Sequence, residues 1–149
     1  MVKIGFNVLA WTANVTEELF PTLDKLKKIG YDGVEFFVGG AASINCLKVG
    51  QHAKELGLDV TTVTVVGKDT NPINASASIR AVGLDAIKIA IDRTHDLGGT
   101  LLCGPIHSAH NHFEAHPALD EEYKRAADVL YQAGDYAQKA GIVLGPEAL

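Results

Sequence analysis

The chain has 149 residues, of which 47% are hydrophobic and 21% charged, the composition of an ordinary globular protein with enough residues to bury one core. Its formal net charge is −5 and it has no basic stripe, which argues against a nucleic-acid partner. No apolar run approaches the ~20 residues that span a bilayer, and the N-terminus lacks a signal-peptide pattern. Cys46 and Cys103 are the only cysteines. Reduced thiols in a cytoplasmic protein are favoured over a structural disulfide.

Strand-like hydrophobic runs alternate with longer helical segments from residue 3 onward. We predict strands at residues 3–9, 33–38, 60–66, 100–103 and 142–144, and helices at residues 16–29, 44–56, 78–97 and 120–140. In the first helix, Leu19, Leu23, Leu26 and Ile29 recur at helical spacing and should form its buried face.

Each predicted helix ends in the same pattern: polar residues, an apolar residue, a glycine, and then a β-rich run. The glycines of this pattern are Gly30, Gly57, Gly98 and Gly141. They suit the left-handed position just past a helix C-terminus. The order βαβαβαβαβ, with a helix between successive strands, predicts a parallel sheet with right-handed connections.

Two α/β folds begin in this way: a (β/α)8 TIM barrel and a doubly wound sheet. The barrel is favoured because no glycine-rich phosphate loop follows the first strand and the four connections look alike. A barrel needs ~250 residues. We therefore expect residues 1–149 to form one incomplete domain, the first four βα units plus strand five of a barrel. A complete five-stranded flavodoxin-like sheet stays open as the alternative, although the helix that would cover its fifth strand is missing.

Polar or special residues follow the strands, at the edge where TIM barrels place catalytic groups. They are Asn7, Trp11, Glu35, Gly67, Gly104, His107 and Glu147. Glu147 ends the fifth strand and is the main candidate; its plainer interpretation is a solvated terminal residue. Glu35 lies inside an apolar strand and is predicted to accept hydrogen bonds in a pocket, since a buried charge needs partners.

Histidines crowd the segment after the fourth predicted strand. His107, His110, His112 and His116 have a spacing that can bind zinc. The surrounding Asn, Ala and Pro residues indicate a loop rather than a rigid element, so a dedicated zinc site is the weaker interpretation.

Several stretches, taken in order, resemble ketose 3-epimerases, the tagatose, psicose (allulose) and ribulose 3-epimerases of the xylose-isomerase-like barrel superfamily. The stretches are residues 5–11, Gly30-Tyr-Asp-Gly-Val-Glu35, Ser78-Ile-Arg80, Leu97-Gly-Gly-Thr100 and Ala140-Gly-Ile-Val-Leu-Gly-Pro-Glu-Ala-Leu149. The resemblance covers essentially the whole chain and corresponds to the N-terminal half of such an enzyme. It implies an isomerase that moves a proton at C3 of a free ketose through an enediolate.

The resemblance also implies roles for individual residues. Glu147 would bind a divalent metal, Mn²⁺ first with Co²⁺ or Mg²⁺ as alternatives, and would act as acid/base. The remaining ligands, an Asp, a His and a second Glu, would lie outside this chain. Trp11 would pack against the sugar, and Asn7 stands where relatives often carry a substrate-contacting Tyr or His.

Three further positions match family positions that line the pocket. The backbone at Gly67 and Gly104 would come close to the sugar, although simple turn chemistry explains both glycines equally well. His107 would touch the substrate.

Proton transfer next to a ketone needs a base on each face and an electrophile for the enediolate oxygen, which a hard divalent ion can supply. Two alternatives stay open. One is another enzyme on the same barrel: a sugar isomerase, an inosose dehydratase or, less in keeping with the acidic charge, an abasic-site endonuclease. The other is a catalytically incomplete fragment that only folds or associates. An open half-barrel would expose a strand edge, so we also predict a homo-oligomer.

Overall fold

The computed structural model of the protein describes residues 2–40 and 44–148. Five strands alternate with four α-helices. The strands are β1 (Gly5–Asn7), β2 (Gly33–Phe37), β3 (Asp59–Val63), β4 (Leu101–Gly104) and β5 (Val143–Pro146). The helices are α1 (Phe20–Ile29), α2 (Cys46–Glu55), α3 (Ala77–Asp96) and α4 (Asp120–Ala140). Short 3₁₀ turns lie at Val8–Ala10, Glu17–Leu19 and Lys68–Thr70.

The strands form one parallel sheet in the order β1-β2-β3-β4-β5. A flavodoxin-like sheet would instead place β1 between β2 and β3. The observed order excludes that alternative and is the one in which a TIM barrel begins. The predicted alternation of strand and helix is confirmed.

The two faces of the sheet differ in how well they are covered. One face packs against the helices and buries Val34, Phe36 and Leu102 almost completely. Side chains alternate across a strand, so the intervening residues lie on the opposite face. We call this the inner face; it includes Asn7, Glu35, Phe37, Thr61, Val63, Leu101, Cys103, Val143 and Gly145. It is only partly covered, and Val143 is 63% exposed.

The first helix shows where the sequence pattern succeeded and where it failed. Leu19, Leu23 and Leu26 are buried as predicted, but Ile29 is 63% exposed and the prediction for it was wrong. Ile29 lines a cavity of about 400 Å³ with Phe6 and Trp11, beside the edge strand β1. No described element packs over that side of α1.

The helix ends and the cysteines agree with the predictions. The four glycines that follow the helices have positive φ angles, between 64° and 109°. Both cysteines are free thiols. No helix in the described part of the chain combines the length and apolar character needed to cross a membrane.

Candidate functional site

A polar row crosses the first three strands on the inner face. Asn7, Glu35 and Thr61 stand opposite one another in the register of the parallel sheet. Asn7 Nδ2 donates to Glu35 Oε1 at 2.8 Å, and Thr61 Oγ1 donates to Glu35 Oε2 at 3.2 Å. Each carboxylate oxygen therefore holds one neutral donor, which fixes the plane of the Glu35 side chain.

The fifth strand brings Glu147 to the same end of the sheet. Its backbone N–H donates to the carbonyl of Gly104 at 2.9 Å, which fixes it beside the end of β4. Burial raises the pKa of the Cys103 thiol, and the negative charges of Glu35 and Glu147 raise it further. The charges of Glu35 and Glu147 therefore both reach one inner-face thiol, and Asn7 lies beside Glu35 through their hydrogen bond.

The two predicted glycines differ in what their backbones require. Gly104 has φ +127°, and a Cβ there would lie 1.9 Å from the carbonyl oxygen of Thr64. Close packing against the end of β3 thus requires glycine at this position. Gly67 has an ordinary φ of −109°, and a Cβ would meet nothing within 4 Å. Its N–H is held by Thr70 Oγ1 at 2.8 Å.

His107 follows β4 and is half-buried at this end of the sheet. Two other histidines of its loop have separate partners: His112 lies 3.3 Å from Glu114, and His116 Nδ1 is 2.8 Å from the Pro117 carbonyl. Across residues 2–40 and 44–148, no three His, Cys, Asp or Glu side chains gather as a metal site would need. The zinc alternative gains no support.

Trp11 does not join this group. Its ring stacks on Phe6, with centroids 4.3 Å apart and planes 18° from parallel. Phe6 is paired in register with the buried Val34, so it lies on the helix-facing side, opposite Asn7. Trp11 is 57% exposed there. The predicted contact with sugar stays a prediction that this placement does not favour.

A divalent ion takes six or more oxygen ligands, or keeps several waters, around its carboxylates. Glu147 is an exposed carboxylate that can supply one ligand. The Glu35 carboxylate already accepts two hydrogen bonds, from Asn7 and Thr61. The described residues therefore do not form a complete metal site by themselves.

Sequence reasoning missed Thr61 at this end of the sheet, and it gave Asn71 no role beyond its place in the polar segment 67–71 after the third strand. Thr61 could have been found by pairing β3 with β2 in parallel register. Thr61 then stands opposite Glu35, and both side chains point to the inner face. Asn71 is buried in the loop after β3 and joins it to the next loop. Nothing in the sequence around Asn71 signals that contact.

Comparison of the sequence with models of known protein families identifies the class of this protein. Residues 23–149 match the model of the xylose isomerase-like TIM barrel family. The chain belongs to this family.

Particular relatives are sugar epimerases. The chain is 26% identical to an L-ribulose 3-epimerase from Mesorhizobium japonicum, over 99% of this chain and 50% of that protein. It is 24% identical to a ketose 3-epimerase from Arthrobacter globiformis, over 99% of this chain and 51% of that protein. A crystal structure of D-allulose 3-epimerase from Methylomonas sp. in complex with D-allulose superposes with a TM-score of 0.86 at 22% identity, over 96% of this chain and 50% of that one. The chain thus spans about half the length of the relatives it matches.

Proposed function

We propose that this chain supplies part of the active site of a ketose 3-epimerase, with Glu147 as a proton-transferring group. The observation that carries the proposal is the position of Glu147. It stands at the carboxyl end of β5, tied to Gly104, with Glu35 on the same inner face. This is where TIM-barrel enzymes place catalytic groups. The names of the similar proteins support a ketose as substrate.

Epimerisation removes a proton from C3 of the ketose on one face and delivers a proton to C3 on the opposite face. Glu147 is exposed and no hydrogen bond to its carboxylate competes within the described residues, so it is available to accept that proton. Epimerisation needs a second base on the opposite face of the substrate. That base would come from outside the described residues.

The polar row would hold the sugar rather than react with it. Because Asn7 and Thr61 fix Glu35 in one orientation, we assign Glu35 the role of accepting a hydrogen bond from a sugar hydroxyl. Asn7, Gly67, Gly104 and His107 are proposed to complete this part of the pocket. Trp11 is the least supported of the proposed contacts, since its ring lies on the other side of β1.

A divalent metal is part of the proposal, Mn²⁺ before Co²⁺ or Mg²⁺. Glu147 would hold it through one carboxylate, and the other ligands would come from outside this chain. When bound, such an ion supplies positive charge to the oxygen that becomes negative as the C3 proton leaves. We also propose a cytoplasmic location, which the free thiols Cys46 and Cys103 support.

The first test replaces Glu147 by Gln in the longest form of the protein that contains residues 1–149. The amide keeps the size of the side chain but removes the charge and the proton acceptor. Ketose epimerisation should fall by at least the ~10²-fold attributed to one positioned acid/base. Manganese affinity, measured by titration calorimetry, should also weaken because a neutral amide is a poorer ligand for a hard cation.

The matched control is Glu121→Gln, which makes the same chemical change at an exposed position in the first turn of α4. It should leave turnover and metal affinity unchanged. If Glu147→Gln keeps both properties at the level of the control, Glu147 is not the proton-transferring group and the proposed function loses its central residue.

A further inference from the structure

Two loops at the carboxyl end of the sheet are joined by one buried side chain. The β3–α3 loop (residues 64–76) contains Asn71, which is only 4% exposed. Asn71 Oδ1 accepts a hydrogen bond from the N–H of Ala109, in the β4–α4 loop (residues 105–119), at 3.1 Å. The same oxygen accepts from Ile73 N–H at 3.3 Å. A second link, His110 N–H to the Val66 carbonyl at 2.8 Å, lies beside it.

Two arginines, Arg80 of α3 and Arg125 of α4, anchor the β3–α3 loop. Arg80 Nη1 donates to the carbonyl of Asn74 at 2.8 Å, and Arg125 Nη1 donates to that of Ile73 at 3.2 Å. Pro72 is buried next to Asn71. This loop can therefore serve as a fixed support for its neighbour.

The β4–α4 loop has less support. Residues 110 and 111 are exposed, as are residues 113–119. Its buried part is short and includes Ile106 and Ala109, on either side of His107. The bond from Ala109 to Asn71 is thus made two residues from His107, and it ties this part of the β4–α4 loop to the β3–α3 loop.

We propose that Asn71 is a positioning residue that holds His107 and Gly67 at a fixed separation for sugar binding. This proposal rests on the proposed function, since it assigns a role within the same pocket. Asn71 itself touches no reacting atom. It acts through the Ala109 N–H, which would lose its partner in a buried setting if the amide oxygen were removed.

The test compares three variants of the longest form of the protein that contains residues 1–149. Asn71→Ala removes the acceptor. Asn71→Asp keeps an oxygen in place to accept from Ala109 and Ile73. Thr94→Val is the matched control: Thr94 is fully buried and bonds Thr62 Oγ1 at 2.6 Å and the Ala90 carbonyl at 2.7 Å. It lies between α3 and the helix-facing side of β3, away from both loops.

Asn71→Ala should raise KM for the ketose roughly ten-fold, with a smaller change in kcat, because sugar contacts are displaced while Glu147 is not. Asn71→Asp should restore most of the binding. Thr94→Val should lower the melting temperature by an amount similar to Asn71→Ala but leave KM unchanged. Hydrogen exchange should speed up at the amides of Ala109 and Ile73 in Asn71→Ala alone.

The outcomes separate the two proposals. If the wild-type protein neither binds nor converts a ketose, the proposed function is wrong and this role falls with it. If the wild type binds a ketose and Asn71→Ala changes KM no more than Thr94→Val does, only the positioning role is overturned. An unchanged exchange rate at Ala109 in Asn71→Ala would overturn it as well.

Discussion

Gly104 and Gly67 look equivalent in the sequence, yet the structure gives them different physical constraints. Gly104→Ala would place a methyl group 1.9 Å from the Thr64 carbonyl oxygen in a backbone conformation with φ +127°. Neither backbone can move without breaking the end of the sheet. We expect a loss of at least ~2 kcal/mol in the free energy of unfolding, measured by urea denaturation.

Gly67→Ala is the matched control, because its added methyl group meets nothing within 4 Å. It should leave the urea midpoint almost unchanged. If the sugar approaches the Gly67 backbone as proposed, this variant should instead weaken ketose binding. Equal stability of the two variants would contradict the packing role assigned to Gly104.

The position of a side chain could be predicted from the sequence where strand alternation or the end of a strand determines that position. Asn7, Glu35 and Glu147 could be placed at one edge because parallel strands share the direction of their carboxyl ends. Trp11 could not, because the chain turns at Val8–Ala10 after β1 and alternation no longer applies. There the stacking on Phe6 decides the side on which the indole lies. Such a contact is set by tertiary packing and leaves no periodic signal.

At the scale of elements, the third helix packs unusually close to the turn that precedes it. A Cβ on Gly83 of α3 would lie 2.4 Å from the carbonyl oxygen of Thr70. Alanine normally stabilises a helix interior relative to glycine by about 0.5–1 kcal/mol. Here the clash should outweigh that gain, so we expect Gly83→Ala to destabilise the protein by about 1–3 kcal/mol in urea denaturation.

Gly134 in α4 offers the opposite case, since a Cβ there would meet nothing within 4 Å. Gly134→Ala should therefore stabilise the protein by about 0.5–1 kcal/mol, through helix propensity alone. Stabilisation by both substitutions would show that the Thr70 turn is free to move away from α3.

Element boundaries were predictable where a terminating residue marks them. The α4 prediction, residues 120–140, is confirmed to the residue, and Gly141 ends the helix in the left-handed conformation. The first strand was predicted at residues 3–9 and is limited to Gly5–Asn7. It ends early because the Asn7 side chain accepts from the N–H of Leu9 at 2.9 Å and starts a 3₁₀ turn. A local side-chain bond of this kind competes with the strand and is not visible in the hydrophobic pattern.

For the whole molecule, the incomplete covering of the inner face is the main feature. Parallel sheets in α/β proteins are normally covered on both faces. Here β1 and β5 are the outer strands of the described sheet, and only its helix-facing side is well buried. The chain spans about half the length of its epimerase relatives. That residues 1–149 are a single incomplete domain stays a prediction, which a full-length protein with a closed barrel would support.

The inner face also yields a prediction for a polypeptide of these 149 residues in isolation. Its apolar residues, including Val143 at 63% exposure, and the two edge strands of the described sheet should drive association between copies. Sedimentation should therefore show dimers or larger species that increase with protein concentration. A single monomeric species across the concentration range would contradict the proposed homo-oligomer.

The alkylation rate of Cys103 can show whether the inner face is the surface that becomes buried when copies associate. Cys103 lies half-exposed on the inner face, whereas Cys46 is buried on α2, where burial raises its pKa to about 11. The thiolate is the reactive species, so Cys46 should react slowly with an alkylating reagent at every protein concentration. Cys103 should react faster in dilute protein, and its rate should fall as association covers the inner face. Mass spectrometry of the labelled peptides measures both rates at once. Association that leaves the Cys103 rate unchanged would mean that the copies meet through another surface, and the inner face would then remain open.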